Sequence, residues 1–254
     1  METVPTSLSS FLVTVPRLVV AFDTRSPAAY DNAMRGKFIT FEGGEGSGKS
    51  TQALELRAFL ESKGINATFT REPGGTPFAE EVRNFLLFGP GRSTPGTSLA
   101  EALLFFSARA DHVQRKIIPA LEAGDWVVCD RFTDSTRAYQ GAAGGVPVKT
   151  LLVLEKAVLG DFSPDLTFVL DLPAEIGLQR AEARRLRELA PSSFTPERDL
   201  FEDRDLPFHQ RLRQGYRDIA QAEPQRCVMI DASQSIYDIK FQIGYHLADR
   251  LGFS

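Results

Sequence analysis

Three observations in the sequence predict an α/β fold: a five-stranded parallel sheet with helices on both faces and a lid segment towards the carboxyl end. Short runs rich in β-branched and aromatic residues alternate with stretches of helical periodicity. Those stretches are too long for hairpins, so the strands must be joined by parallel crossovers. A glycine-rich loop, "GGEGSGKS", separates the first strand from the first helix, and Glu42, Arg71, Asp130 and Asp171 stand at or near strand ends. Open parallel sheets collect their ligands at the carboxyl ends of the strands.

"KFITFEG" (37–43) reads as the first strand, a short apolar run ending in glycine. "KSTQALELRAFLESKG" then places Ala53, Leu54, Leu56, Phe59 and Leu60 at helical spacing, with Gly64 as the stop. "NATFTREPGG" is a second strand closing in a Pro-Gly turn, followed by helices over 77–88 and 98–123 on either side of "FGPGRSTPGT". "DWVVCDRF" is the third strand, residues 147–160 are helical, and "DLTFVLDLP" is the fourth strand. Helical periodicity over 174–188 breaks at "LAPSSFTPERD" and resumes over 203–222; "QRCVMID" is the fifth strand and 235–251 a last amphipathic helix.

Composition narrows the function. The chain has 254 residues, 43% hydrophobic and 24% charged, enough apolar material for a real core. A net charge of −4 and a pI near 5.5 argue against long duplex nucleic acid as a partner. The apolar stretch "FLVTVPRLVVAF" (11–22) is broken by Pro16 and Arg17 and is too short to span a membrane. It lacks the features of a secretory signal, and Glu2, Asp23 and Asp31 are unusual in an organelle-targeting segment. Residues 1–33 therefore read as a flexible extension or a misplaced start, with the globular unit over 34–254. Cys129 and Cys227 sit in apolar runs and read as buried thiols of a reducing, cytoplasmic protein, a disulfide being the alternative. His112, His209 and His246 lack metal-ligand spacing and read as ordinary helix residues.

Gly43, Gly48, Lys49 and Ser50 match G-x-x-x-x-G-K-S/T, directly after a strand and before a helix, as in P-loop NTPase-type folds. The glycines let backbone N–H groups turn towards phosphate oxygens, and the helix start adds positive dipole. Gly43, Gly44, Glu45, Gly46, Ser47, Gly48, Lys49, Ser50 and Thr51 are accordingly the candidate ATP-binding stretch. Lys49 would reach the β and γ phosphates and the Ser50 hydroxyl would serve Mg²⁺. Glu45 is out of place beside phosphates unless it meets a cation, an arginine or a sugar hydroxyl; the alternative is a solvated loop residue.

"TREPGGT" (70–76), "LLFFSAR" (103–109), "DRFTDSTRAYQG" (130–141) and "FHQRLRQGY" (208–216) together resemble the thymidylate kinase family, from about Lys37 to the carboxyl terminus. The resemblance implies transfer of phosphate from Mg-ATP to dTMP in a homodimer. It implies that Phe105 stacks on the thymine, and Arg109 lies one helical turn on, where it can donate to a base carbonyl. It places Arg71 and Arg131 on the monophosphate, Thr136 and Gln140 along the base, and Tyr139 under the deoxyribose. Asp130 resembles the acid that serves the magnesium ion or steadies the neighbouring arginine, and Glu45 the acid near the acceptor's sugar and phosphate. Glu45, Lys49 and Arg131 are thus catalytic candidates.

Arg180, Arg184, Arg185, Arg187, Arg198 and Arg204 make the lid region, about 184–204, and the helical turn before it rich in arginine. No arginine lies between Gly43 and Gly48, so the resemblance implies a catalytic arginine from the lid. The family commonly has Asp-Arg-aromatic-Glu there, whereas this chain reads "DLFE" with Leu200 in place of the arginine; Arg184 and Arg198 are the substitutes. Other nucleoside monophosphate or deoxynucleoside kinases of this fold are the enzyme alternatives. A GTPase switch would carry N-K-x-D, which does not occur, and a partitioning ATPase would leave the acceptor motifs without a role.

Overall fold

A computed structural model describes residues 35–89, 95–189 and 200–253; the expected extension over 1–33 lies outside them. The five expected strands are present: β1 (Phe38–Gly43), β2 (Ala67–Arg71), β3 (Trp126–Asp130), β4 (Leu166–Asp171) and β5 (Cys227–Asp231). They form one parallel sheet in the order β2-β3-β1-β4-β5. β1 is central and buried throughout.

Successive residues of β1 serve opposite layers, as the pleat requires. Ile39 and Phe41 pack with Leu56 and Leu60 of α1 (Lys49–Ser62) and with Ile239, Ile243 and Leu247 of α9 (Ile236–Leu251). Phe38 faces the other way, onto Ile117 and Leu121. Between these layers the Thr40 and Thr167 hydroxyls satisfy each other at 2.7 Å, so neither is an unpaired polar group in the core.

Register gathers the charged residues. Arg71 pairs with Asp130, Asp130 with Phe41, and Gly43 with Leu170, so the ends of β2, β3 and β1 and the phosphate loop share one edge of the sheet. α2 (Pro77–Arg83) and α3 (Ser98–His112) stand over that edge, and α4 (Ile118–Glu122) leads back to β3. The expected helices over 77–88 and 98–123 do not keep one pitch: each widens to a π-helical turn, at Asn84–Phe88 and at Val113–Ile117.

A helix absent from the sequence expectation follows β3: α5 (Thr133–Thr136), running into a π-helical turn at Arg137–Ala143. Threonines and Gly141 make this stretch a weak helix former; packing against α8 (Leu206–Ala222) holds it instead. Gly215 permits that approach, since a Cβ there would lie 2.5 Å from the Ala142 Cβ. α6 (Val148–Leu159) and α7 (Ala174–Leu189) complete the fold. α8 starts at Leu206 rather than 203 because the Asp205 carboxylate accepts from the Phe208 amide (3.0 Å), with Pro207 in the first turn. Both cysteines are buried free thiols.

Candidate active site

The phosphate loop spans β1 and α1 on three left-handed or near-left-handed glycines, Gly43 (φ 138°), Gly46 (φ 65°) and Gly48 (φ 91°). No side chain caps the start of α1, so its first N–H groups remain for an anion. Lys49 folds back over the loop, its Nζ donating to the Gly44 carbonyl (2.7 Å) and the Ser47 hydroxyl (3.4 Å). Burial, with Arg131 nearby, pushes the ammonium down to about 8.

The loop rests on the start of α7. A Cβ on Gly46 would lie 2.1 Å from the Gly177 carbonyl, and one on Gly177 would lie 2.3 Å from the Glu45 carbonyl. Gly177→Ala must therefore displace either the loop or the helix. The expected result is a KM for the nucleotide donor raised about tenfold and a stability loss of about 1–3 kcal/mol, the usual range for overpacking. Donor titration and urea unfolding measure the two; a variant with unchanged KM would show the loop indifferent to this contact.

Arg131 stands at the centre. It is the single non-glycine residue with positive φ among the described residues (71°), a conformation costing about 1–3 kcal/mol. Its amide donates to the Phe41 carbonyl (2.9 Å), and the next amide, of Phe132, donates to the Glu42 carboxylate (2.7 Å). These bonds turn the guanidinium towards the loop. There it donates to Glu45 (2.6 Å) and to the Gly43 carbonyl (3.2 Å) and lies 5.0 Å from the centre of the Tyr139 ring. The Tyr139 hydroxyl also donates to Glu45 (2.6 Å). Burial would raise the Glu45 carboxyl, but Arg131 and Lys49 outweigh it and hold the group at about 2.

Behind Arg131, Glu42 accepts from Ser135 (2.7 Å) and Tyr216 (3.2 Å), whose hydroxyls lie 2.9 Å apart. Burial, aided by the Asp134 charge, pushes Glu42 up to about 7. Asp171, at the end of β4, instead binds Arg213 (2.7 Å) and Arg217 (2.7 Å) of α8.

A cleft opens beside this cluster. Glu45, Phe105, Arg109, Arg131, Thr136, Tyr139 and Gln140 line it, so the predicted acceptor residues come together with one exception. Arg71 is half-exposed and pairs with Glu80 (3.2 Å); it does not line the cleft. Arg109 is 2% exposed and bonds to Glu72, Thr136 and the Phe132 carbonyl.

Arg184 is 56% exposed and meets Glu202 at 3.2 Å. Arg198 lies outside the described residues, as do residues 190–199 of the expected lid. Leu200 and Phe201 are buried with Tyr139 and Phe208, and the Phe201 ring lies 6.1 Å from Phe105 and 5.0 Å from Tyr139. Phe201, Glu72 and Ser135 line the cleft although the motifs did not single them out. The aromatic position of "DLFE" was the available signal for Phe201.

The Ser50 hydroxyl donates to Asp130 Oδ2, while Asp130 Oδ1 is buried without a partner among the described residues. A hydroxyl beside an unsatisfied carboxylate oxygen is a donor set suited to Mg²⁺. No group of three or more His, Cys, Asp and Glu side chains surrounds a common point among the described residues. The remaining ligands of such an ion would come from phosphates and water, as magnesium commonly takes them.

Comparison with known proteins points to one family. The family model described as thymidylate kinase matches residues 41–243. A thymidylate kinase of Nitrobacter hamburgensis is 51% identical over 218 residues, 86% of this chain and 90% of the relative. One of Rhodopseudomonas palustris is 49% identical over 222 residues, 87% of this chain and 93% of the relative. The crystal structure of a thymidylate kinase from Ehrlichia chaffeensis superposes with a TM-score of 0.64 at 33% identity, covering 84% of this chain and 98% of that one.

Proposed function

The chain belongs to the thymidylate kinase family, and from that premise we infer that it phosphorylates dTMP to dTDP with ATP as donor. The observation that carries this reading is the contact between two half-sites: Glu45, within the phosphate loop, is bound by Arg131 and Tyr139 of the acceptor cleft. The donor's β and γ phosphates lie against the loop amides, the start of α1 and Lys49. The monophosphate lies against Arg131, which replaces part of its pairing with Glu45, and Arg71 turns from Glu80 to reach it from the rim.

Catalysis of this kind is mainly positioning and neutralisation of charge on the moving phosphoryl group. Lys49 leaves Gly44 and Ser47 to follow that charge, and Arg131 holds the attacking oxygen in line. Arg184 or Arg198 closes over the phosphates from the lid. Magnesium bound near Ser50 and Asp130 supplies further neutralisation of the donor phosphates.

The base lies against Phe105 with Thr136 along its edge. Gln140 spends an amide N–H on Glu101 (3.2 Å), leaving its carbonyl to accept from the base N3–H. The Tyr139 ring lies where a 2′-hydroxyl would otherwise fit, which favours deoxynucleotides. Two copies pair through an apolar face on α3 and α6, where Leu99, Leu103, Val148, Leu152 and Val153 are exposed. Among the described residues no helix is long and apolar enough to cross a membrane, and the reading places the enzyme in the cytoplasm, with neither nucleic acid nor membrane as partner.

The test is ATP consumption measured with dTMP, dUMP, UMP, CMP, AMP and GMP as separate acceptors. The expected result is turnover that depends on dTMP and exceeds the others. Turnover indifferent to dTMP, or greatest with another acceptor, would overturn the reading.

A further inference from the structure

We propose that a buried hydrogen-bond chain, Thr70–His112–Glu72, is the positioning device for Arg109 and thereby sets the preference for a pyrimidine with oxygen rather than an amino group at C4. The proposal rests on the reading of the cleft as the acceptor's base pocket.

The chain is continuous and buried. Thr70 Oγ1 lies 2.7 Å from His112 Nε2, and His112 Nδ1 lies 2.9 Å from Glu72 Oε1. Arg109 Nε donates to the other carboxylate oxygen, Glu72 Oε2, at 2.7 Å. His112 is fully buried, and Glu72 and Arg109 nearly so. The His112 ring occupies the space that a side chain at position 75 would need, since a Cβ on Gly75 would lie 2.5 Å from its Nε2. In the neutral ring, Nδ1–H donates to Glu72 while Nε2 accepts from the Thr70 hydroxyl; in the cation both nitrogens donate. Either form therefore holds Glu72 Oε1.

Occupying that oxygen has a consequence for the arginine. A carboxylate left to itself beside a guanidinium prefers two parallel bonds to it. Here Glu72 has one oxygen on Arg109 and the other on His112, so the pair stays single-bonded. Arg109 places its remaining nitrogens on Thr136 Oγ1 (3.1 Å) and the Phe132 carbonyl (3.0 Å), between the rings of Phe106 and Phe132. Three of its five N–H groups are spent in this way, leaving one on each terminal nitrogen for the cleft. Without His112, Glu72 would turn to take two bonds from Arg109 and draw those N–H groups from the cleft.

The two N–H groups define what is read. A base whose sugar lies towards Glu45 and Arg131 presents its far edge, the C4 substituent, to the pocket floor. Arginine has no acceptor, so it bonds an oxygen there and leaves an amino group unpaired. A site built to bond one group rejects an analogue that cannot form the bond, because the buried donor is then left unsatisfied.

The test compares His112→Leu, His112→Asn and Thr70→Val in the full chain, with dTMP and dCMP as acceptors under saturating Mg-ATP. Loss of a charge-assisted bond predicts that His112→Leu raises the KM for dTMP by about tenfold or more and lowers the dTMP-over-dCMP preference similarly, with kcat within about twofold. His112→Asn, whose amide N–H stands near the lost Nδ1–H, restores most of both. Thr70→Val preserves shape and gives a smaller change in the same direction, so it carries the test if His112→Leu does not fold. A fall in kcat with unchanged preference, or His112→Asn behaving as His112→Leu, overturns the proposal. Wild-type turnover of dCMP equal to that of dTMP overturns the reading of the cleft itself, before any variant is compared.

Discussion

Lys49→Met is expected to lower kcat by about 10²–10³, the range for deleting one donor aimed at developing transition-state charge. Methionine keeps the length and apolar stem of the side chain and removes the charge, so the loop retains its packing. The loss should fall on kcat more than on the KM for ATP. On the proposed reading, the loop amides and the start of α1 hold the ground-state phosphates, whereas Lys49 follows the phosphoryl group as it moves.

The same variant should unfold no more easily than the wild type. Burial has pushed the Lys49 ammonium down from an ordinary 10.5 to about 8. The folded state therefore resists the proton, and below pH 8 the buried charge weighs against folding. Between pH 8 and 10.5 the unfolded chain binds more protons at this position than the folded one, so its contribution to stability rises with pH. Lys49→Met removes both the penalty and the pH dependence. Urea unfolding at pH 7 and pH 9.5 measures this alongside turnover. In the wild type, bound phosphates favour the ammonium, so kcat/KM for ATP should fall as pH rises through about 8. A variant that loses activity and stability together would make Lys49 a structural residue.

Legibility in the sequence followed distance along the chain. The phosphate loop is contiguous, and its motif specifies Gly43, Gly48, Lys49 and Ser50 directly. The cleft walls were nearly as visible. Phe105 and Arg109 are one helical turn apart, and Tyr139 and Gln140 follow Thr136 by three and four residues, so each set lies within one turn of a single segment. The five strands followed from apolar runs bounded by turn residues.

What the sequence did not disclose depends on register between distant segments. His112 and Glu72 are 40 residues apart and meet only because α3 crosses the end of β2. Gly177 touches Glu45 because α7 begins beside the phosphate loop, and nothing in "AEIGLQR" marks that glycine as a contact. α5 was missed for a related reason: its stability comes from α8, not from its own residues. Arg71 reaches the expected edge of the sheet but turns to Glu80, which comes from the next helix. Strand position fixes a Cα; the partner of a long side chain depends on what packs alongside.

Arg131→Ala is expected to lower kcat/KM for dTMP by about 10³, with most of a bidentate charge-assisted interaction lost and a buried phosphate left without its main counter-charge. The backbone at Arg131 has φ 71°, a strain that arginine carries in the wild type and alanine carries equally, so any stability loss in that variant comes from lost contacts and not from strain. Arg131→Gly relieves that strain and should be more stable than Arg131→Ala by about 1 kcal/mol, with no gain in activity. The guanidinium also controls its neighbour. Burial raises the Glu45 carboxyl and Arg131 is the foremost group opposing it, so Glu45 is held at about 2 and is ionised at every working pH. Its contribution to wild-type stability is present above the ordinary carboxylate value of 4.5 and is lost as pH falls through about 2. With Arg131 removed, burial is opposed chiefly by Lys49 and the Glu45 value rises. The stability of either variant should then begin to fall at a higher pH than in the wild type. Acid unfolding monitored by circular dichroism reads that shift, and dTMP turnover reads the guanidinium. If Arg131→Gly recovers activity along with stability, the backbone turn rather than the charge is what the site requires.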